Sequence, residues 1–100
     1  MFQLVQTQVF SKWLRGLRDP IGRAHVQKRL DQLALGHFGD VKPVREGVSE
    51  MRIHYGPGYR VYFMRQHRAV IVLLAGGEKD SQLRDIRQAI EIARQIRSEK

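Results

Sequence analysis

A chain of 100 residues is the length of a single domain, so residues 1–100 are read as one unit with one modest core. With 18 Lys and Arg against 10 Asp and Glu, the net charge is +8, a balance that favours a polyanionic partner, most simply nucleic acid. The lack of cysteine excludes a disulfide framework and a thiolate metal site, and no apolar run is long enough to anchor in a membrane. The first residues, Met-Phe-Gln-Leu-Val-Gln, carry no secretion signal, so a cytoplasmic protein is expected, with no membrane partner, no metal and no small-molecule cofactor.

In chain order, residues 2–6 alternate Phe2 and Leu4 against Gln3 and Gln6 and read as a strand. Thr7 is placed to cap a helix whose apolar face is Phe10, Trp13, Leu14 and Leu17. The pair Asp19-Pro20 ends it, and Pro20 suits the first turn of a second helix. That helix runs to about Leu35, with Ile21, Val26, Leu30 and Leu33 on its apolar side and Gly36 as its stop. The two are expected to form a helical hairpin. Residues 37–40 read as a loop, and Val41-Lys-Pro-Val-Arg-Glu-Gly47 as a short strand that its proline demotes to an edge or an irregular entry.

Residues 50–65 read as a β-hairpin around Gly56-Pro57-Gly58. Side-chain parity puts Met51, Ile53 and Tyr55 on one side, and Glu50, Arg52 and His54 on the other. A three-residue loop ending on Gly58 sets Tyr55 across from Tyr59, Ile53 from Val61 and Met51 from Phe63. The opposite face then collects Arg52, His54, Arg60 and Tyr62. Next, the run Ala69-Val-Ile-Val-Leu-Leu-Ala75 is apolar without alternation, as in a strand covered on both faces, and Gly76-Gly77 ends it. From Asp80, the residues Leu83, Ile86, Ile90 and Ala93 repeat at helical spacing, with Arg84, Arg87 and Arg94 on the outer side. The fold class is α+β: a small, twisted, mainly antiparallel sheet packed on an N-terminal helical hairpin, in the order β-α-α-β-β-β-α.

The strongest chemical signal is electrostatic. Residues 51–77 contain no Asp or Glu, while Arg52, Arg60, Arg65, Arg68 and two histidines lie among them. Arginines at alternate strand positions suit phosphate, because each guanidinium offers a planar fork of donors and stays charged. A solvated strand face explains the same composition equally well. His54 is of a type that can take or give a proton in catalysis, and Tyr62 is of a type that stacks on bases. His25, His37 and His67 fit no ligand spacing. The glycines match no phosphate-loop pattern, which argues against a nucleotide triphosphatase.

The run Glu50-Met-Arg-Ile-His-Tyr-Gly-Pro-Gly-Tyr-Arg-Val-Tyr-Phe, the upstream Gly36-His-Phe-Gly-Asp-Val-Lys-Pro-Val-Arg-Glu-Gly-Val48 and the later Leu73-Leu-Ala-Gly-Gly-Glu-Lys79 together resemble the RelE/ParE toxin superfamily. Within it they resemble the HigB-like "addiction module killer" (phage Gp49-like) branch. The resemblance implies the toxin of a type II toxin–antitoxin pair, neutralised by a cognate antitoxin. For RelE-like and HigB-like members it implies a metal-independent endoribonuclease that cuts messenger RNA in the ribosomal A site, using the 2′-hydroxyl as nucleophile. For ParE-like members it implies a DNA gyrase inhibitor. A basic RNA-binding module without cleavage is the remaining alternative.

Carried over by position, Arg60 matches the arginine that contacts the scissile phosphate, and Lys79 matches a later basic residue of the site. Arg52 falls where relatives carry basic residues, and Arg65 and Arg68 extend the RNA-binding set. RelE-type enzymes also use a tyrosine near the start of the last helix, whereas this chain has none after Tyr62. His54 is therefore the candidate general base or acid, with Arg60 and Lys79 as its catalytic companions; Glu78, among cations, would be a weak base.

Overall fold

The computed structural model describes residues 1–99. Eight main elements follow one another: β1 (Gln3–Gln6), α1 (Gln8–Arg15), α2 (Pro20–Ala34), β2 (Val41–Arg45), β3 (Val48–Ile53), β4 (Tyr59–Gln66), β5 (Val70–Glu78) and α3 (Gln82–Ser98). A 3-10 turn, Lys79–Ser81, leads into α3. The strands form an open sheet in the order β1-β5-β4-β3-β2, antiparallel except where β1 runs parallel to β5.

The start signals act as their chemistry demands. Thr7 Oγ1 accepts from the Phe10 N–H at 3.0 Å, capping α1, and its hydroxyl donates to the Leu74 carbonyl at 2.8 Å, tying the helix start to β5. Asp19 Oδ1 accepts from the Ile21 N–H at 3.0 Å, with Pro20 at the first position of α2. Both helices lie on one face of the sheet, where Phe10, Val26, Leu30 and Leu33 meet Met51, Ile53, Val61, Phe63, Ile71 and Leu73. Gly22 brings α2 close enough that a Cβ there would sit 2.7 Å from the Tyr59 hydroxyl.

Several expectations need correction. The order is β-α-α-β-β-β-β-α, because residues 41–45 form a complete strand. Pro43 is tolerated there since β2 is the sheet edge and one of its sides needs no donor. The N-terminal helices do not pair closely as a hairpin: α1 packs chiefly on β5 and α2 reaches β3, with Leu17 of the connector buried in the core. Ile21 is 60% exposed and lies outside that core. The hairpin register differs by two residues, with Ile53 opposite Tyr59, Met51 opposite Val61 and Arg52 opposite Arg60. Its loop is residues 54–58, and a slip of two preserves the facing of every side chain.

The strand β5 does not stop at Gly76-Gly77 but runs through them to Glu78. The two glycines admit a helix on each side. A Cβ on Gly76 would lie 2.2 Å from the Trp13 ring of α1, and one on Gly77 would lie 1.8 Å from Asp85 Oδ2 of α3. The sheet is therefore covered on both faces rather than packed on one helical layer. The second face packs Val48, Tyr62, Met64, Val72, Leu74 and Ala75 against Ala89, Ile90 and Ala93 of α3. Residues 74 and 75 both serve that face because β5 bulges opposite the step from Tyr62 to Phe63. At the far end of α3, the Arg94 guanidinium donates to both Glu46 carboxylate oxygens in the β2–β3 turn.

Candidate nucleic-acid interface

The α3 face of the sheet is divided. Toward the C-terminal half of α3 it is apolar; toward the N-terminal half it carries a transverse row in which Arg52, Arg60 and Gly77 stand side by side on neighbouring strands, with Asp40 beside Arg52 just before β2. The Arg52 N–H donates to the Asp40 carbonyl at 3.0 Å, so Arg52 and Arg60 form a pair without mutual backbone bonds, the arrangement that brings side chains closest. Two like charges directly opposite repel. Each is met by its own carboxylate. Arg52 donates through Nε and Nη2 to Asp40 Oδ1 at 3.3 and 2.9 Å, whereas Arg60 Nη1 lies 3.6 Å from Glu50 Oε1, close enough for an ion pair but not for a hydrogen bond.

Glu50 is fully buried, and two neighbours satisfy one of its oxygens. The Tyr62 hydroxyl donates to Oε2 at 3.1 Å, and Gln82 Nε2 of α3 donates to the same atom at 2.8 Å. Burial and the adjacent carboxylate push the Tyr62 phenol well above the usual tyrosine range. The Arg60 side chain is 11% exposed, and its Nε and Nη1 groups have no hydrogen-bond acceptor; Glu50 Oε1 has no donor. Buried donors left unpaired are costly, and those of a cation more so. Both nitrogens are closed to solvent, so an incoming phosphate oxygen meets this guanidinium only through its exposed part. Asp85, also buried, accepts from Ser81 Oγ and sits over Gly77, which fixes the first turn of α3 beside this row.

The residues singled out from sequence divide into two groups. Arg52 and Arg60 are adjacent. His54 follows Arg52 on the same side, 74% exposed, with Nε2 2.5 Å from Asp40 Oδ2. Lys79 is exposed in the 3-10 turn and abuts the hairpin loop, its Cβ 3.4 Å from where a Gly58 Cβ would be. Tyr62 shares the face but is fully buried, so its ring offers nothing for a base to stack on; its hydroxyl instead steadies Glu50. Arg65 is on the other face of the sheet, its guanidinium 4.8 Å from the centre of the Phe2 ring, and Arg68 lies in the β4–β5 turn. Arg65 lies five positions along the strand from Arg60, roughly 17 Å at the usual rise.

Four participants were not read from the sequence as site residues: Asp40, Glu50, Gln82 and Asp85. Glu50 had a signal, being the carboxylate that borders the acid-free stretch on the same parity as Arg52. Asp40 had none, since its contacts with Arg52 and His54 span 12 and 14 residues and exist only once β2 pairs with β3.

Fold and site define a small, basic α+β protein whose open sheet gathers arginines beside the start of its last helix. Residues 12–98 match the family described as "Phage derived protein Gp49-like (DUF891)", and the chain belongs to that family, which is associated with addiction-module killer proteins. Membership implies a cognate antitoxin as partner. An uncharacterized protein of Haemophilus influenzae is 39% identical over 94 residues, spanning 94% of this chain and 95% of the relative. The matched segment contains every residue of the row described above. Among the described residues, no helix is long and apolar enough to cross a membrane.

Proposed function

We propose that this chain is the toxin of a type II toxin–antitoxin pair with a RelE/ParE-like fold, and that it acts as a ribosome-dependent endoribonuclease cutting messenger RNA in the A site. The observation that carries this reading is the pair Arg60 and Arg52: a guanidinium held almost buried against Glu50, directly opposite a second arginine on the neighbouring strand. Donors fixed before the substrate arrives need no reorganisation as charge grows on a phosphorane, which makes this a favourable site for phosphoryl chemistry.

In the proposed reaction the 2′-hydroxyl gives its proton to His54 as its oxygen attacks the adjacent phosphorus. The bond from phosphorus to the 5′-oxygen breaks, and that oxygen takes a proton from water. The products are a 2′,3′-cyclic phosphate and a 5′-hydroxyl. Arg60 stabilises the equatorial oxygens, while Arg52 and Lys79 hold flanking phosphates. Exposed Arg84 and Arg87 of α3 continue the basic rim beyond Lys79. Arg65 and Arg68, on the far part of the sheet, contribute to RNA or ribosome attachment away from the scissile bond. An antitoxin segment of acidic character laid over the row would neutralise its charge and exclude RNA.

The test is to add wild type, Arg60→Ala and Arg60→Lys to a purified translation system and map messenger RNA ends on programmed ribosomes, with gyrase supercoiling assayed in parallel. Wild type is expected to cut within A-site codons. Arg60→Ala should lose about 10²–10³-fold in rate, the usual effect of deleting one preorganised donor. Absence of cuts with loss of supercoiling would transfer the protein to the gyrase-inhibitor class. Salt-dependent RNA binding with neither effect would leave a binding module.

A further inference from the structure

We infer that Asp40 is a positioning residue of this site: its carboxylate holds the His54 ring with Nδ1 toward the RNA and draws the Arg52 guanidinium away from Arg60. The inference rests on the nuclease reading and adds to it a residue whose role no sequence motif announces.

Asp40 is itself held on three sides. Arg29 of α2 passes beneath the loop of residues 36–40, where Nη1 donates to the Arg52 carbonyl at 2.6 Å and Nη2 to the Phe38 carbonyl at 3.2 Å. Gly39 closes over that guanidinium with φ of 66°, and a Cβ there would lie 2.8 Å from Arg29 Nη2, so a side chain at this position would be strained and would displace Arg29. The Asp40 carbonyl accepts the Arg52 N–H at 3.0 Å. A loop tied to both α2 and β3 gives its carboxylate a defined position.

That carboxylate divides its oxygens between two partners. Oδ1 accepts from Arg52 Nε and Nη2, and Oδ2 faces His54 Nε2. The hydrogen bonds from His54 and then Arg52 hold the Asp40 carboxyl below the usual carboxylate range, so it is ionised at neutral pH and only accepts. The ring nitrogen facing it must then carry the proton. In the neutral imidazole the lone pair falls on Nδ1, the nitrogen left free for a 2′-hydroxyl. After proton transfer the imidazolium remains paired with the carboxylate. A base aligned by a third group is the recurrent arrangement for activating a hydroxyl nucleophile.

A purely structural Asp40–His54 pair is the competing account. His54 is 74% exposed, and an exposed ion pair adds too little to stability to distinguish the accounts that way. The two accounts differ in coupling.

The experiment is a double-mutant cycle in the programmed-ribosome cleavage assay, with Asp40→Ala, His54→Ala and the pair, beside an Arg52→Ala cycle. The His54 side-chain rotamer is read in parallel from its Hα–Hβ NMR couplings in the intact protein. Asp40→Ala is expected to lower kcat by about 10–100-fold with KM nearly unchanged, part of what a positioned base supplies. It should cost nothing further once His54 is alanine, and should convert a single His54 rotamer into an average of several. Where Asp40→Ala fails to fold, the near-isosteric Asp40→Asn carries the same cycle. Additive losses of Asp40 and His54, coupling to Arg52 alone, or an averaged His54 rotamer in wild type overturns the inference. If wild type cleaves nothing, the nuclease reading falls first; a single rotamer that still depends on Asp40 then marks a structural clamp, and the role toward RNA falls with it.

Discussion

The two faces of the sheet are built from the same strands and do different work. Beneath α1 and α2, the buried core is apolar, with Phe10, Leu30, Leu33, Met51, Val61, Phe63, Ile71 and Leu73 all excluded from water. Beneath α3, half of the face is equally apolar, and the other half encloses Glu50, Arg60, the Tyr62 hydroxyl, Gln82 and Asp85. Apolar burial is non-directional and rewards area. A buried charge cluster returns little net stability, because desolvation opposes the attraction it gains. The difference separates a region whose residues are accounted for by apolar area from one whose residues are not. An arginine with two unpaired N–H groups is retained in the second region although apolar side chains would fill the same space.

The sharpest way to break the comparison is Phe10→Ala on the apolar face. It should lower stability by about 3–5 kcal/mol, the range for deleting a buried aromatic ring, read as a shift in urea midpoint with unchanged slope. A loss below about 1 kcal/mol would mean that α1 is not part of the cooperative core.

The polar half should respond in the opposite sense when it is converted as a unit. The triple variant Glu50→Leu, Arg60→Met, Tyr62→Phe removes both charges and the phenol together, leaving part-buried Gln82 as the one polar partner, and makes this half resemble its neighbour. It is expected to match or exceed wild type in stability by up to about 1–4 kcal/mol, while RNA cleavage disappears. Glu50→Ala alone should instead destabilise, since it leaves Arg60 without its buried counter-charge. A triple variant much less stable than wild type would show that the cluster is structural after all.

A smaller effect sharpens how α3 is fastened across the divided face. Hydrogen bonds from Arg94 hold the Glu46 carboxyl below its ordinary value in the folded protein. A depressed carboxylate contributes stability above its unfolded pKa and loses that contribution as pH falls through the lower folded value. The stability difference between wild type and Arg94→Met should therefore be present at neutral pH and be lost as pH falls through the lowered folded pKa of Glu46 in denaturant titrations. Both groups are largely exposed, so added salt should reduce the difference as well. A difference independent of pH would assign the role of Arg94 to packing of its aliphatic stem.

Parts of this organisation were legible before folding. The cap at Thr7, Pro20 in the first turn of α2, the division of the hairpin by parity, and the unbroken apolar run of β5 follow from local chemistry and short periods. That run already implied cover on both faces, yet the second cover, α3, was read as a separate amphipathic helix. Helical spacing reports that a face is buried, not what buries it. The hairpin's faces were legible while its register was not, because a change of two residues in loop length alters partners without altering sides. Gly76 and Gly77 looked like a stop since neither has a side chain to signal a strand. Their function is to let Trp13 and Asp85 approach, and both of those lie at a distance in the chain.

For the site, the sequence by itself determined the chemical types available: arginines at alternating positions, a histidine on the same parity, a lysine after the glycine pair and no competing carboxylate within the stretch. Those are properties of neighbouring residues and of the strand's period of two. Only the tertiary structure decided their states. Pairing of β2 with β3 brought Asp40 to Arg52 and His54, and the closing of α3 over Gly77 buried Arg60 beside Glu50 while withdrawing Tyr62 from solvent. Burial and ion pairing are set by whatever arrives from elsewhere in the chain, and no local pattern encodes that arrival.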